Sequence, residues 1–160
     1  MDTAFASLGQ GAITITPLQA ALFTAAIANG GRVWKPYLVK EIRTQAGELL
    51  MTARATAKSR LPVSPENLAI VQQAMRQAVV DTTNGSARDL VDACLPLAAK
   101  TGTAEVGEGA NRYKNTWVVA FGPVDHPKYA LACLIERGQS GGRTAVPIAF
   151  DFFERWLGAE

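Results

Sequence analysis

Histidine and cysteine are nearly missing from this sequence. His126 stands alone in the turn Asp125-His126-Pro127, and the two cysteines, Cys94 and Cys133, lie far apart. One imidazole and two scattered thiols do not supply the converging ligands of a zinc centre, so no metal is expected. Two cysteines do not make a disulfide framework, although a single bridge between them stays open. Cys133 lies inside an apolar run and reads as a buried small hydrophobe. An excess of one charge is missing too. The net charge is +2 and the basic cluster Lys58-Ser59-Arg60 is short, which argues against nucleic acid or an anionic membrane surface as partner. No apolar run approaches the roughly 18 residues of a membrane-spanning helix. Met1-Asp2-Thr3 lacks the basic start and apolar stretch of a secretory leader. The chain is therefore expected to be either cytosolic or an excerpt of something longer.

What is present reads as α+β, because helices come first, then antiparallel strands, then one helix. Residues 12–16 alternate and are β-branched, which suggests a short extended segment. Thr16, Pro17 and Gln19 then make a capping box with proline at the first helical position. The helix they start is expected over 17–29 and is apolar enough to be buried on most sides. Residues 37–52 read as a hairpin turning at Gln45-Ala46-Gly47, and 53–63 as a polar, irregular connector. Ser64-Pro65 opens a helix over 65–80 with Leu68, Val71, Met75, Ala78 and Val79 as its apolar stripe. Ala87 to Val91 reads as one further helical turn. Three main strands follow at 97–105, 117–122 and 129–137, the last two joined by a tight connection at Val124–Lys128. A glycine-rich loop, 138–142, leads to a closing helix over 147–157 that stops at Gly158.

The end of the first of these strands, Lys100-Thr101-Gly102-Thr103, carries the most chemistry. With a period of two, Thr101 and Thr103 share one face and Lys100 takes the other. One cation and two hydroxyls can hold a carboxylate. Gly102 leaves room for a peptide to approach the backbone, and the Thr103 N–H points across the same edge, where an oxyanion hole needs a donor. Taken alone, the tetrapeptide reads more readily as a strand running into a loop. Other candidates are weaker. Gly138 to Thr144 has arginine where a phosphate loop requires lysine, and its glycine spacing is wrong. Glu105 and Glu108 could form a carboxylate pair, but both read as solvated residues of the loop after the motif strand. Trp117, Phe121 and the aromatics of 150–156 read as core.

The neighbouring sequence decides between these readings. Gly9-Gln10-Gly11 with Thr16-Pro17-Leu18-Gln19, then Ala28-Asn29-Gly30-Gly31, Lys100-Thr101-Gly102-Thr103-Ala104-Glu105, Asn115 to Pro123, and Glu136 to Gly142 followed by Ala145 to Ala149 come in order. Together they resemble the transpeptidase domain of class B penicillin-binding proteins, whose segments are GQG…TPLQ, ANGG, KTGTAE, (H/N)xWFVGFAP and ENGGSGG. The last stretch is most similar to the elongation-type branch. The resemblance implies a partial penicillin-binding/β-lactamase-like fold. It further implies that Lys100, Thr101, Gly102 and Thr103 bind the terminal carboxylate of a D-Ala-D-Ala stem peptide or a β-lactam, with the Thr103 N–H as half of the oxyanion hole. No metal or organic cofactor is implied.

The pattern breaks at the nucleophile. None of the five serines, Ser7, Ser59, Ser64, Ser86 and Ser140, begins a Ser-x-x-Lys or a Ser-x-Asn, and acyl transfer needs an activated nucleophile beside a base. Residues 1–160 are thus expected to be the C-terminal segment of such a domain, inactive alone, with the nucleophile and a membrane anchor in a preceding part and the whole on the periplasmic side of the inner membrane. The alternative is a non-catalytic β-lactam sensor or scaffold of the same fold. The strand at 129–137, cut from the neighbour it has in the family, is expected to pair edge to edge in a homodimer or to be covered by another rearrangement.

Overall fold

The computed structural model describes Gly9 and residues 13–157, apart from the Trp156 side chain. Ala12, Gln10-Gly11, the packing of Trp156 and the stop at Gly158 lie outside the described residues. Residues 13–16 run without regular structure and exposed, so the expected segment pairs with no described strand. Helix α1 (Pro17–Ala28) begins as its sequence dictates. The Thr16 hydroxyl accepts from the Gln19 N–H, the Gln19 side chain accepts from the Thr16 N–H, and Pro17 occupies the first turn.

The expectation that α1 is buried on most sides is corrected. It buries Ala20, Thr24, Ala26, Ile27 and Ala28, while Leu18 and Phe23 stand 58% and 56% exposed. Only one side of the helix meets the sheet, and among the described residues nothing covers the other.

Residues 32–60 form two small ribbons. Strand β1 (Arg32–Trp34) pairs with β4 (Ala57–Arg60), and β2 (Glu41–Arg43) pairs with β3 (Leu49–Thr52). The second is the expected hairpin, shorter than its apolar sequence suggested; Leu38 and Val39 lie outside the ladder, exposed. The first corrects the expected irregular connector. Its strand Ala-Lys-Ser-Arg has no apolar alternation because all of it is solvent-exposed, so backbone pairing alone defines it.

Helix α2 (Pro65–Val80) is capped by Ser64, whose hydroxyl accepts from the Asn67 N–H. It buries Leu68, Met75 and Val79, while Val71 is exposed. The Arg76 guanidinium donates to the Leu97 carbonyl at 2.6 Å, and the Gln72 amide donates to the Ile27 carbonyl at 2.7 Å. These two side chains tie α2 to the approach to the sheet and to the end of α1. A 3₁₀ turn at Arg88–Leu90 follows, as expected.

The sheet has order β5-β6-β7, all antiparallel, from β5 (Ala98–Val106), β6 (Tyr113–Gly122) and β7 (Tyr129–Ile135). The strands match those expected, except that β5 is displaced by one residue at each end, β6 starts four residues earlier and β7 ends two earlier. A π-helical turn at Gly141–Ala145 runs into α3 (Val146–Leu157). One core lies between α3 and the sheet, with Ala99, Val118, Ala120, Val146, Ala149 and Phe153. The other joins Ile27, Ala28, Met75, Ala98 and Phe121. Cys94 and Cys133 are both free thiols. Burial pushes both upward in pKa, with Glu154 adding to the effect at Cys94. Cys133 is half-buried rather than buried, because among the described residues β7 has no strand on its outer side.

The turn after α2 is held by one carboxylate. Asp81 Oδ1 accepts the N–H groups of Asn84 and Thr83 at 2.9 and 3.0 Å, and these bonds hold its carboxyl below the usual range. A carboxylate whose pKa falls on folding stabilises above its unfolded value and loses that contribution as pH drops through the lower folded one. Asp81→Ala is therefore expected to lower the urea midpoint near neutral pH. The gap to the parent chain should close as the pH falls below about 4; a gap that persists in acid would show that the carboxylate's charge is not what holds the turn.

Candidate functional site

Strand β5 changes character along its length. Ala98 and Ala99 are fully buried, whereas Lys100 to Val106 are half-buried or exposed. The strand is anchored at its start and presents its polar half to solvent, and it is the edge of the sheet. Lys100-Thr101-Gly102-Thr103 sits at the transition. The register pairs Lys100 with Val119, Thr101 with Val118, Gly102 with Trp117 and Thr103 with Thr116.

The expected facing of the side chains is what this register gives. Thr101 and Thr103 share the face of Val118 and α3, and Lys100 lies on the face of Val119 and Phe121. The Lys100 amine curls along the strand and donates to the Thr101 carbonyl at 2.6 Å. Among the described residues no carboxylate pairs with it. A Cβ at Gly102 would lie 3.4 Å from the Trp117 Cβ, an ordinary contact, so packing within the sheet does not by itself demand glycine there.

Two residues beyond the motif hold its hydroxyls. Thr101 Oγ1 donates to Ser86 Oγ at 2.8 Å, and the Gly141 N–H donates to Thr103 Oγ1 at 3.2 Å. Sequence reasoning missed both roles. Ser86 entered only as a serine lacking a lysine three residues on, and Gly141 only as part of a glycine-rich loop. No local signal marks either, because each is brought to the strand by the tertiary fold. Ser86 sits in the turn closed by Asp81, in which the Gly85 N–H donates to the Asp81 carbonyl. Gly142 packs against the Ser86 carbonyl, where a Cβ would approach to 2.8 Å.

The loop leaving β7 is tightly specified. Arg137 adopts a left-handed backbone, φ 58°, and stacks over the Tyr113 ring at 4.5 Å. The resembled family motif has asparagine at this position, a residue that tolerates this conformation better. Ser140 caps the π-helical turn by accepting from the Arg143 N–H. Glu105 is taken by Arg112, and Glu108 is exposed, so they form no acid pair.

Gly141 is the closest approach of this loop to the motif strand. A Cβ there would lie 2.7 Å from the Trp117 carbonyl, 2.8 Å from the Gly102 carbonyl and 2.9 Å from the Thr101 Cβ. Backbone cannot give way as a flexible side chain can. Gly141→Ala is expected to lower unfolding stability by about 1–3 kcal/mol, read by urea denaturation. An unchanged midpoint would mean that the loop does not rest on β5.

Residues 1–154 match the family model described as the penicillin binding protein transpeptidase domain. The chain is 37% identical over 150 residues to a peptidoglycan D,D-transpeptidase PbpA of Mycolicibacterium smegmatis, covering 89% of this chain and 29% of that protein. It is 32% identical to the MrdA peptidoglycan D,D-transpeptidase of Acinetobacter baumannii, covering 98% of this chain and 24% of the relative. The chain thus spans under a third of the length of these relatives. Among solved structures, a ceftriaxone acyl-enzyme complex of penicillin-binding protein A from M. tuberculosis superposes with a TM-score of 0.83 at 32% identity, over 96% of this chain and 35% of that one. Pseudomonas aeruginosa PBP2 in complex with WCK 5153 superposes with a TM-score of 0.78 at 30% identity, over 98% and 33%. An edge strand carrying Lys-Thr-Gly-Thr, the ordered segments around it and the match over residues 1–154 agree: the chain belongs to the penicillin-binding transpeptidase family, in the class B branch of PbpA and MrdA.

Proposed function

We propose that this chain is the C-terminal part of a serine D,D-transpeptidase domain and forms the carboxylate-binding wall of its active site. The observation that carries the reading is the exposed edge of β5, with the Lys100 cation, paired with no carboxylate among the described residues, on one face and the Thr101 and Thr103 hydroxyls on the other. On this reading Lys100, Thr101 and Thr103 hold the terminal carboxylate of a D-Ala-D-Ala stem peptide or a β-lactam by charge-assisted bonds, and Gly102 keeps the edge open to the bound peptide. Outward groups alternate along an edge strand. The Thr101 carbonyl accepts the Lys100 amine, which supports placing the Thr103 N–H on that same edge, as half of the oxyanion hole.

The acylating serine and its lysine then belong to a preceding part of the protein. The reaction is acylation of that serine, loss of the last D-alanine, and transfer to an amine of a neighbouring stem. The site works on the extracytoplasmic side of the membrane, where the peptidoglycan lies. No described helix is long and apolar enough to cross a membrane.

The outer edge of β7 has a second role in the proposal. Every residue of β7 is half-buried, and a groove of about 530 Å³ runs along it between Pro17, Leu131, Leu134, Ile148 and Phe152. In the whole domain this edge receives the preceding part of the chain; in the isolated chain it receives a second copy.

Intact protein carrying this segment is expected to be labelled covalently by a fluorescent penicillin, and Lys100→Ala to slow labelling by about two orders of magnitude, as loss of a charged contact in a desolvated site does. Labelling absent from the intact protein would favour a sensor or scaffold that has lost its nucleophile. The 160-residue chain alone should not label. In size-exclusion with light scattering it is expected to run as a dimer, and as a monomer once Ile148→Lys charges the groove; a monomeric parent chain would remove the edge-pairing proposal.

A further inference from the structure

The hydroxyl of Ser86 meets the motif strand from outside the sheet and the glycine-rich loop. Its Oγ lies 2.8 Å from Thr101 Oγ1, across 15 residues of sequence. Ser86 does not drift into this place. Its turn is closed by the two amide bonds to Asp81 Oδ1, by the Gly85 N–H on the Asp81 carbonyl, and by the Ala87 N–H on the Ala78 carbonyl at 3.0 Å. A Cβ on Gly85 would come within 2.3 Å of the Asp81 carbonyl. Gly142 then backs the Ser86 carbonyl from the far side. The result is a rigid mount for one hydroxyl, aimed at the first threonine of the motif.

A threonine hydroxyl donates one hydrogen bond and accepts two. Thr101 Oγ1 is set to donate to Ser86 Oγ, and at 2.8 Å either hydroxyl can serve as the donor. A carboxylate arriving at the edge accepts only, so Thr101 must turn its proton toward it, and its oxygen is then left to accept. Ser86 is placed to donate into that oxygen. We propose that Ser86 is a positioning residue that acts through Thr101: it fixes the place of the Thr101 hydroxyl, and donates to it when a ligand carboxylate binds, polarising the Thr101 O–H toward the anion. Chains of hydroxyls strengthen one another in this way. The exchange moves two hydroxyl protons by rotation and breaks no covalent bond. It rests on the proposed function in one respect, that a carboxylate binds at Thr101.

The test uses the intact protein carrying this segment, with acylation rates expressed per titrated active site so that unfolded protein drops out. The probes are benzylpenicillin and its methyl ester, which differ in the carboxylate alone. Ser86→Ala is expected to slow acylation by the free acid about tenfold, the size of one hydrogen bond to a charged partner. The methyl ester should react as fast with the variant as with the parent protein. Ser86→Thr, which keeps the hydroxyl, should restore the acid rate to within a few-fold. Ser86→Ala and Thr101→Val combined should cost no more than Thr101→Val alone. Equal slowing of acid and ester, or no slowing of either, overturns the inference while leaving the proposed function standing. A parent protein that neither compound acylates overturns both.

Discussion

The register between β5 and β6 is the constraint on which the rest depends. It runs unbroken over nine residue pairs, from Ala98 opposite Phe121 to Val106 opposite Tyr113. Side chains alternate, so a slip by one residue would exchange the two faces of the strand. Ala99 would leave the α3 core, and Thr101 and Thr103 would turn away from Ser86 and Gly141. The pairing is held by what covers it on both sides. Ala99, Val118 and Ala120 are fully buried against Val146, Ala149 and Phe153, and Ala98 and Phe121 are buried with Ile27, Ala28 and Met75. Large apolar groups here are worth several kcal/mol each when truncated, far more than any single polar contact at the site. The core therefore sets the register, and the register places the hydroxyls.

Core and site share one strand but not one environment. The buried half of β5 follows Leu97, whose carbonyl takes the Arg76 guanidinium, while the polar half is bounded by a turn and a loop. Helix α2 serves both halves. Met75 and Val79 enter the two cores, and the chain leaving its C-terminus folds at Asp81 and delivers Ser86 to Thr101. A change in how α2 seats on the sheet would thus be felt at the motif through Ser86. The π-helical turn has the matching role for Thr103, with Gly141 backed onto the Gly102 and Trp117 carbonyls.

Much of this was legible in the sequence, for physical reasons that differ by element. Helix starts were readable because caps are local: Thr16 with Gln19 and Ser64 with Asn67 need only three residues of spacing. The sheet was readable because the apolar runs of β6 and β7 and the turn between them leave few alternatives. The facing of Lys100 against Thr101 followed from the period of a strand. The exposed β4 was not readable, since nothing about Ala-Lys-Ser-Arg demands burial. The exposure of Leu18 and Phe23 was hidden for the opposite reason: an apolar helix looks buried on all sides when no partner count is available. Ser86 and Gly141 were invisible as contacts because 15 and 38 residues separate them from the threonines they touch.

The two outer edges of the sheet differ in chemistry, and that difference orders the molecule. The β5 edge is polar, with an ammonium group, two hydroxyls and a glycine, and it is stiffened by contacts that fix hydroxyl positions. The β7 edge is apolar, flanked by Pro17, Ile148 and Phe152 over an open groove. Polar donors held rigidly at an edge select a small charged ligand, because misplacing them by a fraction of an ångström loses the bond. An apolar groove beside a strand tolerates such shifts and favours a chain that brings its own backbone donors and side chains. On the proposed function the sheet divides its labour by edge, recognition at β5 and completion of the fold at β7, and β6 between them carries the pairing that makes each edge depend on the other.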